Sequence, residues 1–443
     1  MRPGLQRLLG LSDIALIVVG SVIGSGIFRT PSVVAQRLPI PGLMLAAWVI
    51  GGAIALCGAF VLGELAARRP GGCGPYAYLS EAFHPIVGFA YGWAALLASF
   101  TGGIAAAAVI FAGYFVSLTG FRFAPAPVAI IGIAAVAIVN ALGVRQGNGL
   151  QFSLTVLKIV ALAAVIAAAF FAHPIAGGNP IPPVSPLGWP AALGVALIPI
   201  LFSYNGAMVA NFMVAESKDV AKTLPRGLIL GIACVVVLYV LVNASCVHVL
   251  GIARLAQTEV PVSAVLRAWV GTIGGSLASL AVVIVTLGFV SNRMLTVPRL
   301  YQAMAQDGLF FPQVARISPR THAPIVAIML QAAVAMLIAS RVGYGEILNY
   351  VVATFYIFNG LLALALFVIR AKDSAADMRA KPFRAPGHPY TTAIYLVASW
   401  GVAIATCVVY PRDGLMGLAI VLSAVPAYLL WKWLARRSKP VVT

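Results

Sequence analysis

One lysine, Lys158, stands inside the apolar run F-S-L-T-V-L-K-I-V-A-L-A-A-V-I-A-A-A-F-F and is the only Lys, Arg, Asp or Glu between Arg145 and Glu216. From the start of that run near Gly147 it lies about eleven residues, or ~16 Å, along a helix rising 1.5 Å per residue. An ammonium at that depth must face a partner or a cavity, because its stem is too short to reach a membrane surface comfortably. Two other stretches carry residues that could hold a ligand through the backbone. In A-L-I-V-V-G-S-V-I-G-S-G-I-F-R-T-P, from Ala15, an apolar helix meets Gly20, Gly24, Ser25 and Gly26; in L-I-P-I-L-F-S-Y-N-G-A-M-V-A-N-F-M-V-A-E, from Leu197, the interruption is Pro199, Ser203, Asn205 and Gly206. Unpaired peptide groups in hydrocarbon cost several kcal/mol each, so broken helices persist only where protein or a water-filled cavity covers them. The plainer reading of the first stretch is close helix packing, since Gly20 and Gly24 form a G-x-x-x-G pair. A second interruption, in a helix of opposite direction, favours a shared site at the bilayer midplane. Half-helix N-termini offer N–H groups to an anion, and C-terminal ends offer carbonyls to a cation. A ligand with carboxylate and ammonium on one carbon, an α-amino acid, satisfies both.

The elements that must position these residues follow from composition. Of 443 residues 61% are hydrophobic and 9% charged, with a mean hydropathy of +1.00, which marks an integral membrane protein. Twelve stretches are long and apolar enough to cross a bilayer core needing about 20 residues each: near 12–38, 43–66, 85–118, 125–142, 149–171, 190–215, 227–250, 271–304, 324–338, 347–369, 391–409 and 415–434. Cutting the chain there gives a first repeat over 1–175, an inverted second over 176–371, and a remainder, 372–443, of loop, two peripheral helices and tail. The formal charge of +18 need not mean nucleic acid. With the N-terminus inside, 21 basic residues fall on inner loops and tails, Arg293 and Arg299 among them, against seven outside: Arg29, Arg37, Arg122, Arg254, Arg267, Arg341 and Arg412. That asymmetry puts both termini in the cytoplasm and leaves anionic lipid as sufficient partner for the surplus. Too few residues precede the first span for a cleaved signal.

Other candidate chemistry is thin. Cys57, Cys73, Cys234, Cys246 and Cys407 lack metal-type spacing and read as small core residues. Glu64, with Arg68 and Arg69 on the next turn, reads as an ion-paired interfacial group. The loop G-G-C-G-P-Y-A-Y-L-S-E-A-F-H-P implies a tight re-entrant turn leading into a short amphipathic helix. An enzyme would need a nucleophile and base at depth, and Ser21 or Ser25 has no deep His, Asp or Glu beside it. A channel filter would show repeated carbonyl-lining motifs or rings of charge, and neither is present. No metal or other cofactor is expected.

Six motifs in order carry a resemblance to a known family: G-S-V-I-G-S-G-I-F from Gly20, G-C-G-P-Y-A-Y-L-S-E-A-F from Gly72, T-V-L-K ending at Lys158, F-S-Y-N-G with A-E-S-K-D and L-P-R after it, R-L-Y-Q-A-M-A-Q-D-G-L-F-F-P from Arg299, and P-F-R-A-P-G-H-P from Pro382. The chain resembles the amino acid–polyamine–organocation superfamily over nearly its whole length, and within it the bacterial relatives of the L-type amino acid transporters. The resemblance implies an all-α membrane protein of twelve transmembrane helices, a LeuT-type 5+5 inverted repeat plus two peripheral helices, in a bacterial inner membrane. It implies that Ser25 and Gly26 bind the substrate carboxylate, and that the Val22 and Asn205 carbonyls receive its ammonium under a closing Phe202. Phe202, Ala207 and Met208 would form gate and side-chain pocket. Lys158 matches a lysine standing in place of a sodium ion, which implies sodium-independent transport, with Ser291 near its ammonium.

Departures from the family pattern refine these expectations. Asn205 stands where relatives often have Asp or Gly, Ala207 where many have Trp, and Cys73 where the family's loop has its first glycine. The turn F-R-F-A-P-A-P has no cysteine, so no disulfide-linked heavy chain is expected. No acidic residue lies near either break, which favours neutral L-amino acids over the alternative of a cationic amino acid or polyamine antiporter. Exchange and proton symport are both left open.

Overall fold

The computed structural model describes residues 9–70, 73–120, 123–175, 188–217, 219–341, 344–373 and 383–437. Gly71 and Gly72 of the expected re-entrant turn, Arg122, Lys218 of A-E-S-K-D, and Pro382 lie outside these residues.

All twelve apolar stretches are helical. The first is a bent pair, Leu11–Val22 (α1) and Gly26–Arg37 (α2), whose axes differ by 52°. Then come α3 (Pro41–Arg68), the short α4 (Gly74–Ala82), α5 (Pro85–Thr119), α6 (Pro125–Ala141) and α7 (Val144–Phe171). After Gly188–Tyr204 (α8) the chain makes a turn and a 3-10 segment, Ala207–Glu216, before α9 (Val220–Gln257). Beyond it lie α10 (Pro261–Val270), α11 (Thr272–Thr296), α12 (Pro298–Gln306), α13 (Ile325–Arg341), α14 (Tyr344–Lys372), α15 (Tyr390–Val409) and α16 (Pro411–Arg437). Among the described residues nine helices are long and apolar enough to cross a membrane, ten with the bent pair. The other two expected spans, α6 and α13, have 17 residues each, about 26 Å of helix against a hydrocarbon core of ~30 Å.

Local chemistry explains where the elements begin and bend. Proline opens α3, α5, α6, α10 and α12, where its missing N–H costs nothing. At the head of α5, extended His84 caps the helix by accepting the Ile86 N–H on Nδ1 at 3.2 Å. The helix expected after the G-C-G-P loop is α4, but it is no surface element. Pro75, Tyr76, Tyr78, Leu79 and Ala82 are buried, and Tyr78 donates to Asn211 Oδ1 of the 3-10 segment at 3.2 Å. Inside α8, Pro199 leaves the Val195 carbonyl without its intrahelical donor, and the Arg37 guanidinium supplies one at 2.6 Å.

Packing pairs the two broken helices. The first half, α1, lies against the 3-10 segment, α7, α9 and α11, while the second half, α2, lies against α8 and α9. Large apolar side chains such as Phe170, Val397 and Val408 face outward, as a lipid solvent requires.

Candidate functional site

Helix α1 stops because Ile23 turns extended (φ −68°, ψ 99°), and α2 restarts with Ser25 as its N-cap residue. Side chains from three other helices bond carbonyls at the break and one turn before it. Lys158 Nζ, fully buried on α7, donates to Gly20 O at 2.7 Å and Ile23 O at 2.9 Å. Tyr239 of α9 donates its hydroxyl to Val22 O at 3.1 Å, and Asn292 of α11 donates to Ile17 O at 3.2 Å. Gly288 of α11 closes over the lysine, since a Cβ there would sit 2.5 Å from Lys158 Cε.

The second break spans Asn205 and Gly206. Its ten-residue 3-10 continuation far exceeds the three or four residues usual for that helix, and such mid-helix runs mark hinges. Gly206 holds φ +148° with its back against α1, where a Cβ would be 2.6 Å from Ser21 O. Ser21 Oγ lies 2.9 Å from Gly206 O, and on the other side of the breaks Ser203 Oγ meets Thr30 Oγ1 of α2 at 3.0 Å. The two breaks are therefore stitched to each other on both sides.

Between them lies a cavity enclosing about 480 Å³ of empty space, its open mouth included. Val22, Gly24, Ser25, Gly26, Phe202, Ser203 and Asn205 line it from the breaks. The rest of the lining is Ser99, Gly103 and Ala106 of α5, Phe289 and Arg293 of α11, and Val351 and Phe355 of α14. Ser99 enters from a π-helical turn, Ala95–Ser99, a distortion that recurs at functional positions.

Placement of the sequence-selected residues divides into groups. Val22, Ser25, Gly26, Phe202 and Asn205 share this cavity. Val22 O already accepts from Tyr239, and a carbonyl retains a second lone pair. Ala207 and Met208 line a neighbouring cavity of about 410 Å³ with Ile54, Gly58, Tyr356, Asn359 and Tyr395; Asn205 borders both, and its Nδ2 is buried without a partner. Lys158 reaches the first break from behind rather than from the cavity. Ser291 is buried with Oγ unpartnered, so the described contact of α11 with the lysine runs through Gly288. Gly20 and Gly24 also serve packing: a Cβ would meet Thr155 Oγ1 at 2.4 Å and Phe289 Cδ2 at 2.9 Å, respectively.

Two corrections concern charge. Arg293, counted with the inner loops, is 3% exposed and lines the cavity from α11. Its guanidinium carbon lies 4.9 Å from the Phe100 ring centre and 4.8 Å from that of Phe289. A signal for it existed, because the expected span from Gly271 to Met304 contains it. Glu64 is ion-paired as expected but fully buried. Arg68 Nε, Arg370 Nε and Nη2, and the Ala385 N–H donate to it at 2.6–2.8 Å, whereas Arg69 turns to Glu81 and Asp373. Tyr239 was missed altogether.

Comparison with known proteins agrees with this geometry. Residues 9–426 match the family model described as amino acid permease. The serine/threonine exchanger SteT of Bacillus subtilis (strain 168) is 26% identical over 437 residues, covering 96% of this chain and 97% of that protein. The b(0,+)-type amino acid transporter 1 of Homo sapiens is 27% identical over 453 residues, 99% of this chain and 91% of its own. The Asc-type amino acid transporter 1 of Homo sapiens is 25% identical over 452 residues, 99% of this chain and 84% of its own.

Proposed function

Because the chain belongs to the amino acid permease family, a family of membrane transporters and not of enzymes, we propose that it carries L-amino acids across the plasma membrane by sodium-independent alternating access. The observation that carries this reading is the Lys158 ammonium on Gly20 O and Ile23 O at the first break. It occupies carbonyls that a free cation would otherwise have to hold, and it ties the break to α7 through two hydrogen bonds.

Substrate would bind with its carboxylate at the first N–H groups of α2, from Ser25 and Gly26, where the helix dipole favours negative charge. Its ammonium would take the remaining lone pair of Val22 O and the Asn205 carbonyl. Phe202 would close from the outside, and Ala207 with Met208 would shape the second cavity. In this reading α1 to α7 and α8 to α14 form two inverted five-span halves, and α15 and α16 lie peripheral. The halves rock about the stitched breaks, with both termini cytoplasmic and no disulfide-linked partner. Exchange is the favoured mode, given that the relative from B. subtilis is described as an exchanger. Arg293 in the cavity wall weighs against a cationic amino acid or polyamine.

Uptake of labelled amino acids into proteoliposomes, with internal amino acid and with sodium present or replaced by choline, tests the proposal. The expected result is uptake that is saturable, accelerated by internal substrate and indifferent to sodium, and that falls below about a tenth of wild type in Lys158→Ala. Sodium-dependent uptake, or near-wild-type uptake by Lys158→Ala, would refute the role given to the lysine.

A further inference from the structure

We infer that Arg293 sets substrate specificity, selecting amino acids whose side chains carry an oxygen acceptor (hydroxyl, amide or carboxylate) over apolar and cationic ones. The inference deepens the transport reading above and rests on it.

Three observations converge. First, the guanidinium is almost wholly buried and borders the same cavity as both helix breaks. Second, its neighbours satisfy the wrong part of it. Phe100 and Phe289 attract a cation through their ring faces, but neither ring accepts the N–H bonds that project in the guanidinium plane. Third, Nη1 is buried with no hydrogen-bond partner, and among the described residues no carboxylate is ion-paired with Arg293. A buried donor left in this state is expensive, and a charged one more so. An acceptor arriving in the cavity would relieve that cost.

The substrate's α-carboxylate does not fill this role if it sits at Ser25 and Gly26, because the N–H groups of α2 then already hold the head group at the break. What reaches α11 is the side chain. An apolar side chain would cover the guanidinium edge and strip its water without replacing the hydrogen bond. A cationic one would add like charge in a medium of low dielectric. A site built to hydrogen-bond a substrate oxygen rejects analogues lacking it far more strongly than a greasy pocket rejects an extra methyl group. Phe289 and Phe100 hold the fork in place, so selectivity is set by a rigid group rather than a mobile lysine-like one.

The test uses full-length protein in proteoliposomes preloaded with unlabelled amino acid, and compares near-isosteric pairs: L-threonine with L-valine, L-asparagine with L-leucine, and L-glutamate with L-lysine. Wild type should prefer the oxygen-bearing or anionic member of each pair by at least about tenfold, water standing in partly for the missing oxygen. In Arg293→Met the threonine/valine ratio should fall to within about twofold. Arg293→Lys, which keeps charge but loses the planar fork, should lie between. Equal or better uptake of valine and leucine by wild type overturns the inference, as does an unchanged ratio in an Arg293→Met protein that elutes as a single species. Should that variant not fold, the wild-type pairs decide alone. Absence of uptake for every amino acid would instead defeat the transport reading itself, so the two failures are told apart.

Discussion

Two buried charge clusters in this protein solve the same problem in opposite ways. At the C-terminal ends of α3 and α14, Glu64 is enclosed by Arg68, Arg370 and the Ala385 N–H, while Arg68 and Arg69 both reach Asp373 and Arg69 continues to Glu81. Lys372 completes the cluster on the carbonyls of Glu81 and Ala82 at the end of α4. Every cation there has an anionic or carbonyl partner. Among the described residues, Lys158 donates to backbone carbonyls and Arg293 lies against ring faces, with no carboxylate paired to either. Charges compensated within the fold hold elements together. Lys158, bonded to carbonyls behind the break, fixes the shape of the site, whereas Arg293, left short of an anion beside the cavity, is poised for one that comes from outside. Glu64 and Arg68 are as deeply buried as Lys158 and Arg293, so for these four groups it is the partner set and not depth that separates scaffold from site.

The largest effect expected from breaking that contrast is in the compensated cluster. Glu64→Gln leaves Arg68 and Arg370 buried without their shared carboxylate, and removing one partner of a buried ion pair costs about 3–5 kcal/mol. The apparent melting temperature of the purified protein should drop by several degrees, while the threonine/valine uptake ratio of whatever protein remains folded stays at its wild-type value. If Glu64→Gln instead altered selectivity and left stability alone, the division between scaffold and site would be wrong.

A smaller effect should come from pH. Burial works to raise the Asp373 carboxyl, but hydrogen bonds and charge from Arg69 and Arg68 outweigh it and hold the group below the usual carboxylate range. A carboxyl depressed in the folded state contributes stability that is fully present above its unfolded pKa, about 3.9, and is lost as pH falls through the lower folded value. The groups facing it are Arg68 and Arg69, with Glu64, Glu81 and Arg370 one step further in the network. Melting temperature should therefore hold level from neutrality to about pH 4 and decline below it, with a shallower decline in Asp373→Asn. An equal decline in both proteins would remove Asp373 from the account.

How far the sequence could be read follows from the same contrast. Both helix breaks were legible because Gly, Ser, Pro and Asn are conspicuous among Leu and Val, and Lys158 because no other charge lies near it. Arg293 was obscured by company. Arg299 follows six residues later, and the pair read as one cytoplasmic group, although α11 and α12 run on as a 35-residue apolar unit in which both are buried. Glu64 was recognised as paired, yet its second partner, Arg370, is 306 residues away, and no local pattern shows such a contact. The division of Phe202 from Ala207 and Met208 between two cavities depends on the turn at Gly206, whose φ +148° is a property of packing against Ser21 and not of spacing.

Tyr239 offers the finest test. In sequence it is one aromatic residue in an apolar helix, indistinguishable from its core neighbours. In the structure it packs with Trp48 and Tyr204 and turns its hydroxyl onto Val22 O. That bond fixes the carbonyl on which the proposed ammonium contact depends, so Tyr239→Phe keeps the ring packing and loses only the positioning. A neutral hydrogen bond of this kind contributes about 0.5–1.5 kcal/mol, which corresponds to roughly a 2- to 12-fold weaker apparent affinity if it acts on bound substrate. Uptake kinetics in proteoliposomes should show that change in KM for every substrate alike, with the threonine/valine ratio untouched. Arg293 variants should do the reverse, altering the ratio between substrates. A Tyr239→Phe protein that changed the ratio would mean that the hydroxyl reads the side chain, and the assignment of head group to the breaks and side chain to α11 would have to be exchanged.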